Sequence, residues 1–182
     1  MLLSSKMCEL KKEENIIDQV ILIGFMGAGK TTVGNILAKL ADLPYIDIDE
    51  VITHEQGMSV SDIFAKYGEK EFRRLEHEKL KELANTKAVI ATGGGIVLNP
   101  ENRKVLKNTY PVIYLETNPE VFMNRLKGDT TRPLVQQKTP EEIRAIFEPR
   151  MKHYETSADF IVNTDNRNQQ EVARAILAML DK

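Results

Sequence analysis

The chain has 182 residues, 42% of them hydrophobic and 29% charged, enough for one well-buried core and short for two full domains. Its net charge of -2 excludes a global basic field for nucleic acid or an anionic membrane, so any anion site must be local. The single cysteine, Cys8, excludes an intrachain disulfide framework and the usual cysteine zinc patterns, and no apolar run approaches the roughly 18 residues of a membrane span.

A cytoplasmic protein is the expectation. Residues 1–17 are polar, lack the apolar core of a signal peptide and are expected to be a frayed extension ahead of one domain over 18–182. Val20-Ile21-Leu22-Ile23 reads as a buried strand. It leads into Gly24-Phe25-Met26-Gly27-Ala28-Gly29-Lys30-Thr31, which fits G-x-x-x-x-G-K-[ST]. Glycines there let backbone N–H groups turn inward on an anion, and the following helix aims its positive dipole end at the same point. Lys30 is placed to reach outer phosphates, and Thr31 to offer its hydroxyl to a Mg²⁺ bridging phosphate oxygens.

Thr32 to Ala41 carries Val33, Ile36, Leu37 and Leu40 at helical spacing. Tyr45-Ile46-Asp47-Ile48-Asp49 then reads as a short strand whose two carboxylates, at i and i+2, project to one side at its end. A helical region follows from about Glu50 through Leu83, interrupted at Gly57 and Gly68, with Ser59 or Ser61 as candidate N-cap. Ala88 to Ala91 is a third strand, ending in Thr92-Gly93-Gly94-Gly95. Pro100 opens a helix to about Lys107, and Pro111 to Leu115 makes a fourth strand. Asn118-Pro119 starts a helix through Arg125; Gly128 to Lys138 is polar and reads as a mobile loop. Thr139-Pro140-Glu141-Glu142 is a capping box opening a helix to about Tyr154. Asp159 to Val162 is a fifth strand, and Glu171 to Leu180 a last helix. Strands alternating with helices predict an α/β domain with a parallel sheet covered on both faces and ligands at the strand carboxyl ends.

Proteins with such a loop usually hold magnesium partly through an acid after a second apolar strand, but Thr92 to Gly95 offers none. The pair Asp47 and Asp49 is therefore the candidate, one carboxylate near the metal and the other free for a substrate hydroxyl. Arg73 and Arg74 face different directions, so at most one enters the cleft. Three glycines at a strand end suggest close backbone approach by a small ligand. Arg132, in the polar loop, is of the kind that closes over a transferring phosphoryl group. His54, His77 and His153 lack metal-ligand spacing and read as surface or packing residues.

Taken in order, Gly24 to Thr32, Asp47-Ile48-Asp49, Phe72-Arg73-Arg74, Gly93-Gly94-Gly95, Thr131-Arg132-Pro133-Leu134 and Arg150 followed by Tyr154 resemble the motif series of the shikimate kinases over about residues 18 to 180. The resemblance implies a single-domain P-loop kinase of the nucleoside-monophosphate-kinase type, with a five-stranded parallel sheet and a lid at about 128–138. It also implies ATP-dependent phosphorylation of the 3-hydroxyl of shikimate, a step toward aromatic amino acids. On that resemblance Asp49, Arg73, Gly94 and Arg150 surround shikimate, the arginines on its carboxylate and Asp49 on ring hydroxyls. Phe64 and Phe72 line the same pocket. Gly27, Ala28, Gly29, Lys30, Thr31 and Thr32 hold ATP phosphates, Thr31 binds Mg²⁺ directly and Asp47 binds it through water. Lys30 and Arg132 stabilise the phosphoryl group in flight. Arg125 and the Asn166-Arg167-Asn168 turn flank adenine, although Gln169 stands where many members have proline. Shikimate and ATP are the partners implied, for a monomer.

Two other readings belong beside it. A gluconate or nucleotide kinase of the same fold would share the loop, and Arg73 and Arg150 could bind another carboxylate. A nucleotide-dependent switch would need a long sensing segment and a base signature such as Asn-Lys-x-Asp, and the chain has neither.

Overall fold

Three segments, Gln19–Ile23 (β1), Ala88–Ala91 (β3) and Val112–Glu116 (β4), are almost continuously apolar and buried, the pattern of strands covered on both faces. Tyr45–Asp47 (β2) and Phe160–Asn163 (β5) are less buried and occupy the edges. The computed structural model, which describes residues 17–126 and 138–181, joins the five into one parallel sheet in the order β2-β3-β1-β4-β5. Ile21 sits in register with Ile90 on one side and Val112 on the other, so β1 is central and its carboxyl end opens into the middle of the sheet edge.

On one face the helices Lys30–Ala41 (α1) and Gln169–Leu180 (α8) cover the sheet through Val33, Leu37, Val172 and Ile176. The other face is covered by Ile48–Gln56 (α2), Val60–Tyr67 (α3), Glu69–Leu83 (α4), Pro100–Lys107 (α5), Pro119–Leu126 (α6) and Pro140–Ser157 (α7). Its core holds an aromatic cluster in which Phe25, Phe122 and Phe147 meet at centroid distances of 4.8 to 5.2 Å. Among the described residues no helix is long and apolar enough to cross a membrane.

The structure departs from the sequence reading in the second motif. The strand ends at Asp47, and Asp49 lies in the first turn of α2. The alternation Ile46-Asp47-Ile48-Asp49 imitates a strand, but Asp47 caps the helix, its Oδ1 accepting from the N–H groups of Asp49 at 3.0 Å and Glu50 at 3.3 Å. The two carboxylates are thus set by a helix start and not by strand alternation. The region to Leu83 is three helices, broken at Gly57 and Gly68 as expected, with Ser59 as the cap of α3 through a reciprocal box with Asp62. The Thr139–Glu142 capping box forms as read, and α7 runs to Ser157, one turn beyond Tyr154. The expected extension falls almost wholly outside the described residues, and so do the expected lid and Arg132.

Candidate active site

Every described residue of the expected site gathers at the carboxyl ends of the sheet strands. The loop after β1 turns at Gly27 and Gly29, whose φ angles of 76° and 95° are left-handed backbone that a side chain disfavours. Gly29 is the residue before α1, so the loop's inward amides and the helix N-terminus act on the same spot. Lys30 Nζ folds back to the carbonyl oxygens of Gly24 at 2.7 Å and Phe25 at 2.9 Å, which holds the ammonium over the loop. Gly27, Gly29, Lys30, Thr31 and Thr32 line one cleft together with Asp47, Asp49, Thr92, Gly93 and Gly94.

Beside the loop, Thr92 explains why β3 ends without an acid. Its buried hydroxyl donates to the Leu22 carbonyl at 3.0 Å, fastening the end of β3 to β1. The glycines that follow are tightly packed, Gly93 and Gly95 by the protein's own side chains and Gly94 by the phosphate-loop backbone. A Cβ on Gly93 would lie 2.6 Å from Glu76 Oε1 and 2.8 Å from Asp49 Oδ1, and one on Gly95 would collide with the Arg73 guanidinium. A Cβ on Gly94 would come within 3.3 Å of the Met26 amide nitrogen in the phosphate loop. Loop, acids and arginine therefore converge on this turn.

Arg73 enters the cleft side and Arg74 does not. Arg73 Nη1 donates to Glu76 Oε2 at 2.7 Å and Nη2 to Glu69 Oε1 at 3.0 Å, with the guanidinium 5.5 Å over the Phe72 ring. Arg74 makes exposed pairs with Glu71 and Glu78 on the outer side of α4. Phe72 is 2% exposed and stacks edge-on with Phe64, so it is core under Arg73. From α7, Arg150 Nη1 donates to the Gly94 carbonyl at 3.0 Å and lies 5.7 Å over Phe25. Each arginine rests on an aromatic face, which orients the guanidinium without using its donors.

Glu76 was missed by the sequence reading. It is fully buried, one oxygen bound to Arg73 and the other, Oε1, without a hydrogen-bond partner. The signal was available: Phe72, Glu76, Lys79 and Leu80 are the buried stripe of α4, and a carboxylate on such a stripe calls for a buried cation. Lys79 on that stripe ties α4 to α2 through Glu55 at 2.7 Å.

Asp49 also keeps a buried oxygen, Oδ1, without a partner. Burial, then the nearby charges of Glu76 and Asp47, push its carboxyl up to about 7, against the pull of Lys30 and Arg73. A carboxylate titrating near neutrality beside a phosphate loop is suited to accept a proton from a hydroxyl.

Asp47 receives the Tyr45 hydroxyl on Oδ2 at 3.3 Å while Oδ1 caps α2, so its orientation is fixed. It shares the cleft with Thr31. Among the described residues no three acidic, histidine or cysteine side chains group to hold a metal by themselves. Two hard oxygens, with the rest from phosphates and water, are what Mg²⁺ takes in nucleotide sites, and the residues present fit it. Across the loop, Arg125 donates to the Thr164 carbonyl at 3.0 Å and the Gly27 carbonyl at 3.4 Å, joining the phosphate loop to the turn before α8. Arg167 is exposed on that turn, next to Asn166 with φ 56°. His77 packs against Asn102 at 2.6 Å.

Comparison with known proteins shows which family the chain resembles. A family model for shikimate kinase matches residues 26–181. The shikimate kinase of Enterococcus faecalis is 44% identical over 166 residues, covering 90% of this chain and 99% of that protein. That of Thermodesulfovibrio yellowstonii is 45% identical over 160 residues, covering 87% and 92%. A solved shikimate kinase from Acinetobacter baumannii in complex with shikimate is similar at a TM-score of 0.84 and 38% identity, covering 90% of this chain and 92% of that one.

Proposed function

Given that the chain belongs to the shikimate kinase family, we propose that its cleft transfers the γ-phosphoryl group of ATP to the 3-hydroxyl of shikimate, giving shikimate 3-phosphate and ADP on the route to aromatic amino acids. The observation that carries this reading is the convergence on one glycine turn. Arg73 and Arg150 meet it at Gly95 and Gly94, and Asp49 meets it at Gly93 with an uncommitted oxygen.

Two guanidiniums suit a carboxylate, which planar forks bind bidentately. Held there, the acceptor presents a ring hydroxyl to Asp49. Asp49 accepts that hydroxyl's hydrogen bond, orients the oxygen, and takes its proton as the bond to phosphorus forms. Glu76 braces Arg73 and, through its own charge, keeps Asp49 basic enough for the task. On the other wall the amides from Gly27 to Thr32 cradle the phosphates. Lys30 leaves its resting carbonyl contacts to meet the charge on the transferring group. Thr31 and Asp47 would hold Mg²⁺, which when bound would neutralise phosphate charge. Arg132, outside the described residues, would add positive charge to the transferring group, and Arg125 and Arg167 would flank adenine. Every group named comes from one chain, so a monomer suffices, and the cytoplasm is its proposed location.

The test is the product. Phosphorus NMR of a reaction with ATP and shikimate is expected to show one phosphate monoester coupled to the proton on ring carbon 3. A monoester on another hydroxyl would displace the assignment of Asp49.

A further inference from the structure

Tyr154 lies one helical turn past Arg150 on α7, and the transfer described above gives it no task. Its side chain is fully buried, and its ring stacks on Tyr114 of β4 with centroids 5.1 Å apart and planes 17° apart. Its hydroxyl donates to the carbonyl oxygen of Gly94, where Arg150 Nη1 also donates at 3.0 Å. Two donors from one helix therefore converge on a single carbonyl. One of them, Arg150, is the guanidinium assigned to the substrate carboxylate.

That carbonyl has leverage. Gly94 packs against the phosphate loop at Met26, and its neighbours receive Asp49, Glu76 and Arg73. A peptide unit is planar, with the Gly95 N–H on the edge opposite the Gly94 carbonyl. Whatever fixes the carbonyl therefore fixes the N–H direction and the tilt of the turn. When Arg150 swings to a carboxylate it gives up its bond to Gly94, and the turn would then be free to rotate unless another donor stays.

We propose that Tyr154 is a positioning residue for the acceptor: its hydroxyl keeps the Gly94 carbonyl when Arg150 turns to the shikimate carboxylate, so the glycine turn holds its shape as the substrate binds. This rests on the proposed function above. Stacking on Tyr114 restricts the ring, and burial raises the phenol well above its ordinary range, so the donor stays protonated through the working pH. Without the hydroxyl, Arg150 must either remain on Gly94 or leave the carbonyl with neither side-chain donor. Either cost falls on shikimate binding and not on ATP.

The experiment compares wild type, Tyr154→Phe and Tyr114→Phe by steady-state kinetics with each substrate varied, and by thermal melting. Tyr154→Phe keeps the ring and is expected to raise the KM for shikimate roughly 5- to 20-fold, the scale of one lost hydrogen bond, with kcat and the ATP KM within about twofold. Tyr114→Phe, which keeps the stack and touches no substrate group, is expected to leave all three within about twofold. An Arg150→Lys and Tyr154→Phe double-mutant cycle should be non-additive in shikimate KM, because the two side chains share one carbonyl. An unchanged shikimate KM in Tyr154→Phe would overturn the proposal. So would equal rises in both KM values accompanied by a lowered melting temperature, the mark of a merely structural residue. Wild type that leaves shikimate untouched would instead overturn the reading of the acceptor, and this proposal with it.

Discussion

The phosphate wall of the cleft is one continuous stretch, Gly24 to Thr31, whose anion-binding groups are backbone amides and a helix end. The acceptor wall draws Asp49 from α2, Arg73 and Glu76 from α4, the glycines after β3, and Arg150 and Tyr154 from α7. The first wall presents positive potential through dipoles that cost little to bury, with Lys30 satisfied by its own loop while it waits. The second depends on ionisable groups held away from water, and it leaves Asp49 Oδ1 and Glu76 Oε1 without partners. The difference teaches where this protein gives up stability for function: the acceptor wall is poorly satisfied until a ligand arrives. It also says that the two walls should fail separately.

The largest separation is expected from Asp49→Asn. Loss of the base should lower kcat by about 10²- to 10⁴-fold while ATP affinity, measured by titration calorimetry, stays within about twofold. The same variant should be more stable at neutral pH. The folded carboxyl titrates at about 7 against an ordinary value of 3.8, so between those values the folded state holds a proton that the unfolded state has lost. Stability therefore falls as pH rises through that window, and asparagine removes the slope. Urea melts at pH 5 and pH 8 should show a variant advantage that is larger at the higher pH, by about 1 kcal/mol or more.

Arg73→Lys comes next, since a point charge cannot keep Glu76, Glu69 and a carboxylate fork together. Its shikimate KM should rise about 10- to 50-fold with the ATP KM little changed. A comparable rise in both would mean that the walls are coupled. In wild type, kcat/KM for shikimate should climb about tenfold from pH 6 to a plateau above about pH 8, because only ionised Asp49 accepts the proton. A flat profile would remove Asp49 from the rate-limiting proton transfer. The smallest effect belongs to the other wall: Gly29→Ala places a Cβ on backbone at φ 95° and should cost about 1–2 kcal/mol of stability with a raised ATP KM. Its shikimate binding, measured without nucleotide, should stay unchanged.

How far each wall could be read beforehand follows from how it is built. The phosphate loop is local, so its residues, strand and helix were visible in eight positions. Asp47 and Asp49 were found but misplaced, because Ile46 and Ile48 alternate like a strand while Asp47 in fact caps α2. The glycine triplet was read as room for a ligand; at Gly93 and Gly95 the space a Cβ would need is taken by Asp49, Glu76 and Arg73, while Gly94 lines the cleft. Glu76 stayed hidden because its meaning is a relation to Arg73, Arg150 and Gly93, and the stripe of Phe72, Glu76, Lys79 and Leu80 that singles it out is masked by the many other charges of the helix. Tyr154 was seen as part of a motif, yet its partner, the Gly94 carbonyl, appears only once α7 is laid across the end of β3.

ADP release in a coupled assay, run with shikimate, gluconate and nucleoside monophosphates as separate acceptors, tests the central claim most directly. The account predicts ATP consumption that depends on shikimate and is near background with the others; brisk turnover of gluconate or a nucleotide, with shikimate inert, would contradict it.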